Sequence, residues 1–287
     1  MLINYFYLFR FKHWIKNLII FTPYIFARKF NDTENLVLLF QVFLIFCLLS
    51  STIYIINDIC DLKEDSKSDI KKKEKPIANN KISLKTAKYL VGTLLILDLV
   101  LLINFSSIFL YGIFFLILNI SYSYIFKNII ILDAISISFS YLLRLFAGGS
   151  IILVSPSIWL VTLVFFVSLF VVFSKRYSEA IIMKDHSRLT VLNKYKKLYL
   201  YLVFSNCFLS LLIYTLYVFV KNIDLILTIP ITFFIFYRMI YNLYKSKSKI
   251  ISPVNTVLMD KWLLISLFAW TLVIFFNNFL NNLFLLN

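Results

Sequence analysis

Apolar runs of membrane-spanning length recur along this 287-residue chain, separated only by short polar stretches. They lie near residues 15–30, 36–56, 84–103, 106–125, 130–153, 158–175, 198–220, 224–244 and 262–281. A bilayer core is crossed by about 20 apolar residues of helix. In lipid, only helices or closed barrels satisfy every backbone polar group, and runs of this length are helical. The sequence therefore predicts an all-α, polytopic membrane bundle of about nine spans, in a single domain covering residues 1–287. With 61% hydrophobic and 15% charged residues, no part resembles an appended soluble domain. The first run departs most from the pattern, because Pro23 interrupts it and charges crowd both ends. A removable signal is not expected either: the amino terminus lacks a short apolar core with a small-residue cleavage site.

The formal charge of +15 would suit nucleic acid if it formed one patch. It does not. Arg10, Lys12 and Lys16 precede or open the first run, nine lysines fall between Lys63 and Lys88, and seven Lys/Arg fall between Lys175 and Lys197. Five more lie from Arg238 to Lys261, while the intervening loops hold little beyond Arg28, Lys29 and Lys221. This alternation obeys the positive-inside rule, so the amino terminus and the basic loops are expected in the cytoplasm and the carboxyl terminus outside. The expected setting is the cytoplasmic membrane, with no nucleic-acid partner.

Cys47, Cys60 and Cys207 are too few and too scattered for a disulfide framework or a CxxC site. His13 and His186 fit no metal-ligand spacing. The chemistry is concentrated elsewhere, in "YIINDICDLKEDSKSDIKKKEKPI", Tyr54 to Ile77. Continued as helix, this stretch puts Asp58, Asp61, Asp65 and Asp69 within an arc of about 80°. Carboxylates so arranged repel unless something positive lies between them. A hard divalent cation does this, and Mg²⁺ characteristically joins one or two carboxylates to substrate phosphates. Lys71, Lys72, Lys73 and Lys75 follow at once; their charge suits both the positive-inside rule and a clamp on phosphate oxygens. Arg144 lies deep in the fifth run, with Asp133 three turns away on the same face, about 16 Å along the axis and too far to pair. Arg144 is assigned to a polar cavity, as a phosphate contact or an interhelical bridge. Asp98 is read as a structural hydrogen-bonding residue.

The segments "NDICDLKED" and "KKKEKPIA" together resemble the NDxxDxxxD and KRxRPIA signature of UbiA-type intramembrane transferases. The resemblance is greatest to their decaprenyl-phosphate phosphoribosyltransferase branch. "FKHWIKNLIIFTPYIFA", "YSYIFKNIIILDAISISFSYLLRLFAGG", "SKRYSE" and "SPVNTVLMDKWLL" are similar to further segments of that branch, in the same order. Lys75 stands where the family usually has Arg, and Asn80 where Gly is common.

This resemblance implies transfer of 5-phosphoribose from phosphoribosyl pyrophosphate to a polyprenyl phosphate, with Mg²⁺ as cofactor and pyrophosphate as leaving group. It implies that Asp58, Asp61 and Asp65 hold Mg²⁺, that Lys72, Lys73 and Lys75 assist the leaving group, and that Asn57 contacts substrate. Lys16, Asn17, Tyr122, Lys127, Lys175 and Arg176 would ring a cytoplasm-facing cavity, with the lipid tail in a groove open to the bilayer. Family members that move an isoprenyl group carry a second Asp-rich motif in the later loop. Here "SKRYSEAIIMKDHSRL" leads instead with Lys175 and Arg176, which suits a second phosphate. Isoprenyl transfer from a diphosphate to an aromatic acceptor is the enzymatic alternative. A transporter or lipid-binding protein without catalysis is the other, and it would spread its charges along a transmembrane path.

Overall fold

A computed structural model describes residues 2–27, 32–67, 72, 75–182, 195–245 and 253–284. Lys73, a proposed leaving-group contact, lies outside the described residues, as do Arg28, Lys29, Asp69, Lys71, Asp185 and His186. Every regular element among the described residues is helical. The chain divides into two compact units, Met1–Pro156 and Ser157–Asn287.

The first unit opens with α1 (Leu2–Phe9), which ends where Arg10 takes a left-handed backbone conformation, φ 52°. A 3-10 segment, Phe11–Phe21, follows and runs into the short α2 (Thr22–Phe26), with Pro23 in its first turn. The described part of the expected first span is thus not one α-helix. An 11-residue 3-10 segment is long for a geometry that usually lasts three or four residues, so tertiary contacts must hold it. One is extreme: a Cβ built on Gly148 would lie 2.0 Å from the carbonyl oxygen of Ile20. Only glycine permits that approach.

Asp32 caps α3 (Thr33–Cys60), its carboxylate accepting from the Asn35 amide at 3.0 Å. The short α4 (Leu62–Asp65) continues it. Ser83 caps α5 (Leu84–Asn104), and α6 (Ser106–Tyr124) and α7 (Ile130–Ile151) complete the unit. Its core packs Leu39, Val42, Phe46 and Leu49 of α3 with Leu102, Phe115 and Ala147. A smaller cluster joins Leu8, Ile55, Ile77, Ile82, Ala87 and Leu94. That cluster fixes α1 and the turn after Lys75 onto α3.

The second unit contains α8 (Ile158–Ile182), α9 (Lys196–Lys221), α10 (Thr228–Lys245), α11 (Pro253–Met259) and α12 (Lys261–Phe284). Trp270 of α12 donates to the Tyr214 hydroxyl of α9 at 3.0 Å, and that hydroxyl lies 2.5 Å from Thr228 of α10. Interhelical hydrogen bonds of this kind contribute about 0.6 kcal/mol each in lipid.

Among the described residues, six helices are long and apolar enough to cross a membrane: α3, α5, α6, α7, α8 and α9. Of the other expected spans, 224–244 falls on α10, which carries Arg238, Asn242 and Lys245, and 262–281 falls on α12. The apolar part of α12 identified among the described residues, Lys261–Asn277, is shorter than the six. The chain is a polytopic membrane protein.

Candidate active site

A polar stripe runs down α3. Cys47, Ser50, Ser51, Tyr54 and Asp58 recur at spacings that keep them within an arc of about 100°. From Asp58 to Cys47 the stripe descends about 16 Å into the bundle. Its outer end is acidic and its inner end is cationic.

At the outer end, Asp58 is 2% exposed. Its Oδ1 lies 2.5 Å from Arg10 Nη2 and 2.9 Å from Lys75 Nζ. The same ammonium is 2.5 Å from Asp65 Oδ2. Asp61 is ion-paired with Lys127, from the 3-10 turn Phe126–Asn128. The helix is interrupted only slightly here: Asp61 donates its amide to Asn57 O at 2.9 Å, and Asp65 donates to Asp61 O at 2.9 Å. Helical phase therefore brings Asp58 and Asp65 to one lysine, while Asp61 faces another. The chain's own ammonium groups lie where repulsion between the carboxylates demanded positive charge.

Lys75 is held by the turn that follows it. Asn79 donates to Lys75 O and Lys81 donates to Pro76 O, while Asn80 sits at φ 55°. That left-handed conformation favours glycine and, next to it, asparagine. Asn80 therefore substitutes for a glycine without abandoning the turn.

Further in, Trp14 donates to Ser51 Oγ at 3.1 Å, and Ser51 donates to Phe9 O at 3.0 Å. Arg10 lies over the Tyr54 ring, 4.9 Å from its centroid. Lys16, in the same 3-10 segment, is half-buried beside the wholly buried Asn17. Deeper still, Arg144 Nε donates to Asn17 Oδ1 at 2.6 Å, and Nη1 donates to Ser140 O and Oγ, each at 2.8 Å. Arg144 Nη2 reaches Ser50 Oγ at 3.3 Å, and the guanidinium stacks 4.4 Å from the Phe115 centroid. Asn17, wholly buried, also donates to Cys47 Sγ. Arg144 and Asn17 bridge α7, the 3-10 segment and α3. Asp98, also wholly buried, accepts from Thr52 at 2.7 Å.

Two acceptor atoms at the acidic end, Asn57 Oδ1 and Asp58 Oδ2, are buried without a hydrogen-bond partner among the described residues. Buried acceptors of this kind call for a donor or a cation. Among the described residues, no three His, Cys, Asp or Glu side chains converge as a metal cage. The two orphaned oxygens are the atoms there that suit a hard cation, and Mg²⁺ characteristically joins one or two carboxylates to substrate oxygens.

Of the other expected site residues, Lys72 is exposed and Tyr122 is half-buried near the end of α6. In the second unit, Arg176 is 2.6 Å from Glu179 and the exposed Lys175 is 3.8 Å from the same carboxylate. Asp260, preceding α12, accepts from Arg238 Nε at 2.7 Å, Asn242 at 2.5 Å and the Trp262 amide at 2.9 Å. Burial opposes ionisation of Asp260, yet the bonds from Asn242, Arg238 and the Leu263 amide hold its carboxyl below the ordinary range. Arg10 and Tyr54 are the residues that motif reading missed. Arg10's visible signal was its place four residues before Trp14 in a basic amino terminus.

Fold and site together define a polytopic all-helical membrane protein with a matched acid–base mouth on one long helix. The pattern of the UbiA prenyltransferase family matches residues 18–254, and the chain belongs to that family. Among solved structures, a UbiA homologue from Archaeoglobus fulgidus bound to DMAPP and Mg²⁺ is 17% identical, with a TM-score of 0.66 over 96% of this chain and 99% of that one. The same values hold for that homologue bound to GPP and Mg²⁺. A structure of digeranylgeranylglyceryl phosphate synthase is 20% identical, with a TM-score of 0.62 over 96% and 98% of the two chains. At these identities the likeness establishes the fold. No curated protein matches the chain.

Proposed function

We propose that this UbiA-family protein is a Mg²⁺-dependent transferase that moves 5-phosphoribose from phosphoribosyl pyrophosphate to a polyprenyl phosphate. The observation that carries the reading is the mouth of α3, where Asp58, Asp61 and Asp65 are matched by Arg10, Lys75 and Lys127. The motifs that resemble the phosphoribosyltransferase branch support phosphoribosyl pyrophosphate as the donor. The structures solved with Mg²⁺ support the same metal here.

In this reading Asp58, Asp61 and Asp65 would hold Mg²⁺, with Asp58 Oδ2 and Asn57 Oδ1 as available acceptors. Bound Mg²⁺ would neutralise charge on the departing pyrophosphate. Lys75, Arg10 and Lys127 would exchange carboxylate oxygens for phosphate oxygens, and the resemblance assigns Lys72 and Lys73 to the leaving group as well. The anomeric carbon–oxygen bond to pyrophosphate breaks, its electron pair leaving with pyrophosphate. A lipid-phosphate oxygen forms the new bond to that carbon. The nucleophile is already anionic, so no strong general base is needed. Lys175 and Arg176, both paired with Glu179, are the residues this reading assigns to a second phosphate. The charge alternation along the sequence supports a cytoplasmic mouth, where a water-soluble donor would have access.

The test is incubation of membranes carrying the protein with labelled phosphoribosyl pyrophosphate and polyprenyl phosphate. Label should enter an acid-labile lipid in a Mg²⁺-dependent manner, and its absence would overturn the reading. One observation favours a second reading: a homologue of this fold was solved with DMAPP and with GPP. Isoprenyl transfer to an aromatic acceptor, without phosphoribosyl transfer, would establish that alternative.

A further inference from the structure

The corner between α1 and the 3-10 segment is made by a residue that does not suit it. Arg10 stands at φ 52°, ψ 47°, the left-handed region that glycine enters freely and other L residues enter at a cost. Glycine would turn the chain equally well, so the reason for arginine lies in its side chain. Ser51, Tyr54 and Asp58 lie on one face of α3, and each holds a different part of this corner. Ser51, wholly buried, ties the chain on both sides of Arg10: its Oγ lies 3.0 Å from Phe9 O and accepts from Trp14 Nε1 at 3.1 Å. The same hydroxyl lies 2.9 Å from Cys47 O, so its one proton is shared between two carbonyls. Tyr54 offers its ring to the guanidinium, 4.9 Å from Cζ, and Asp58 Oδ1 accepts from Nη2 at 2.5 Å. The Phe11 ring, 4.5 Å from that of Trp14 and 5.9 Å from that of Phe9, closes the bracket.

We propose that Ser51 and Tyr54 are positioning residues that hold the Arg10 guanidinium at the mouth for the oxygens of a pyrophosphate. The proposal rests on the transferase reading, which puts that leaving group beside Asp58. An arginine loses rotamer freedom when it binds an anion, and a side chain already held in place has less to lose. Asp58 cannot do this holding throughout, because in that reading its carboxylate turns to Mg²⁺. Ser51 and Tyr54 can. Both are neutral, so they fix the guanidinium without neutralising its charge, and a cation over a tyrosine ring keeps its N–H edge for an anion. The same contacts offset the cost of the left-handed backbone. With Ser51 truncated, the corner is free to relax and carry the guanidinium away from Asp58.

The experiment uses the full chain in detergent and measures equilibrium binding of labelled pyrophosphate in Mg²⁺ across two double-mutant cycles. Arg10→Met is expected to weaken binding about 10-fold, the effect of losing one charge-assisted hydrogen bond. Ser51→Ala and Tyr54→Leu should each weaken it about 3- to 5-fold when Arg10 is present, and by less than about 2-fold in the Arg10→Met protein. A merely structural role would weaken binding equally in both backgrounds. Tyr54→Phe, which keeps the ring, should restore most of the affinity lost in Tyr54→Leu. If Ser51→Ala does not fold, the Tyr54 cycle decides. The proposal is overturned if the wild-type protein does not bind pyrophosphate in Mg²⁺, if Arg10→Met leaves binding unchanged, if either cycle is additive, or if Tyr54→Phe loses as much as Tyr54→Leu. Failure of the phosphoribosyl reading is separate: it shows as absent phosphoribosyl transfer while the coupling to Arg10 persists, because an isoprenyl diphosphate also releases pyrophosphate.

Discussion

Lys75 Nζ lies 2.5 Å from Asp65 Oδ2, and the same ammonium reaches Asp58 two helical turns earlier on the same face. A lysine thus occupies the space between two carboxylates that a divalent cation also favours. In the proposed reading metal and lysine compete for the same carboxylates, so the lysine would need another anionic partner when metal binds. A diphosphate supplies that partner.

The first prediction follows from this competition. Lys75→Met should tighten the binding of metal alone while weakening Mg²⁺-dependent pyrophosphate binding about 10-fold. Electron paramagnetic resonance of Mn²⁺ and equilibrium binding of labelled pyrophosphate measure the two effects. Weaker binding of both would mean that Lys75 shapes the mouth and does not compete within it.

Asp58 and Asp61 differ in a measurable way. Their side chains are 2% and 14% exposed, and Asp58 holds two cations where Asp61 holds one. Asp58→Asn and Asp61→Asn should each reduce turnover about 100-fold or more, the usual effect of losing electrostatic stabilisation at a reacting centre. Only Asp58→Asn should also cost roughly 1–3 kcal/mol of stability, because it removes a buried charge shared by two cations. Turnover assays and thermal denaturation in detergent distinguish the two residues. Equal loss of stability in both variants would contradict the assignment.

The acidic mouth was legible because charges are sparse in a membrane chain and helical phase alone brings Asp58 and Asp65 together. The helical membrane architecture was legible from run length for the same kind of reason: lipid leaves the backbone few alternatives. The 3-10 segment was not legible. Phe11–Phe21 is apolar enough to belong to a span, and its geometry depends on Gly148, more than a hundred residues away. Arg10 could be read only as a topological charge, since its partner Asp58 lies 48 residues on. For Arg144 the sequence left two roles open, and the bonds to Asn17, Ser140 and Ser50 favour the bridge.

Gly148 therefore offers a direct test of how the 3-10 segment is held. A methyl group there would meet the Ile20 backbone at 2.0 Å, and a backbone carbonyl cannot turn aside as a side chain can. Gly148→Ala should destabilise the protein by roughly 1–3 kcal/mol or displace the segment. Because the segment carries Lys16 and Asn17, activity should fall with stability. An alanine variant with wild-type melting and turnover would show that the close approach is dispensable.

The last prediction concerns pH and the second unit. Hydrogen bonds from Asn242, Arg238 and the Leu263 amide hold the Asp260 carboxyl below its ordinary pKa despite burial. The folded state therefore binds the proton less readily than the unfolded chain, whose aspartate titrates near about 3.9. The stabilisation is fully present above that unfolded value and is lost as pH falls through the lower, folded one. Asp260→Asn should lower the melting temperature by a constant amount from about pH 5 to pH 8, and the deficit should shrink below about pH 4. Thermal scans of both proteins across that range provide the measurement. A deficit that grew on acidification would reverse the sign of the linkage and show that Asp260 is held in its protonated form.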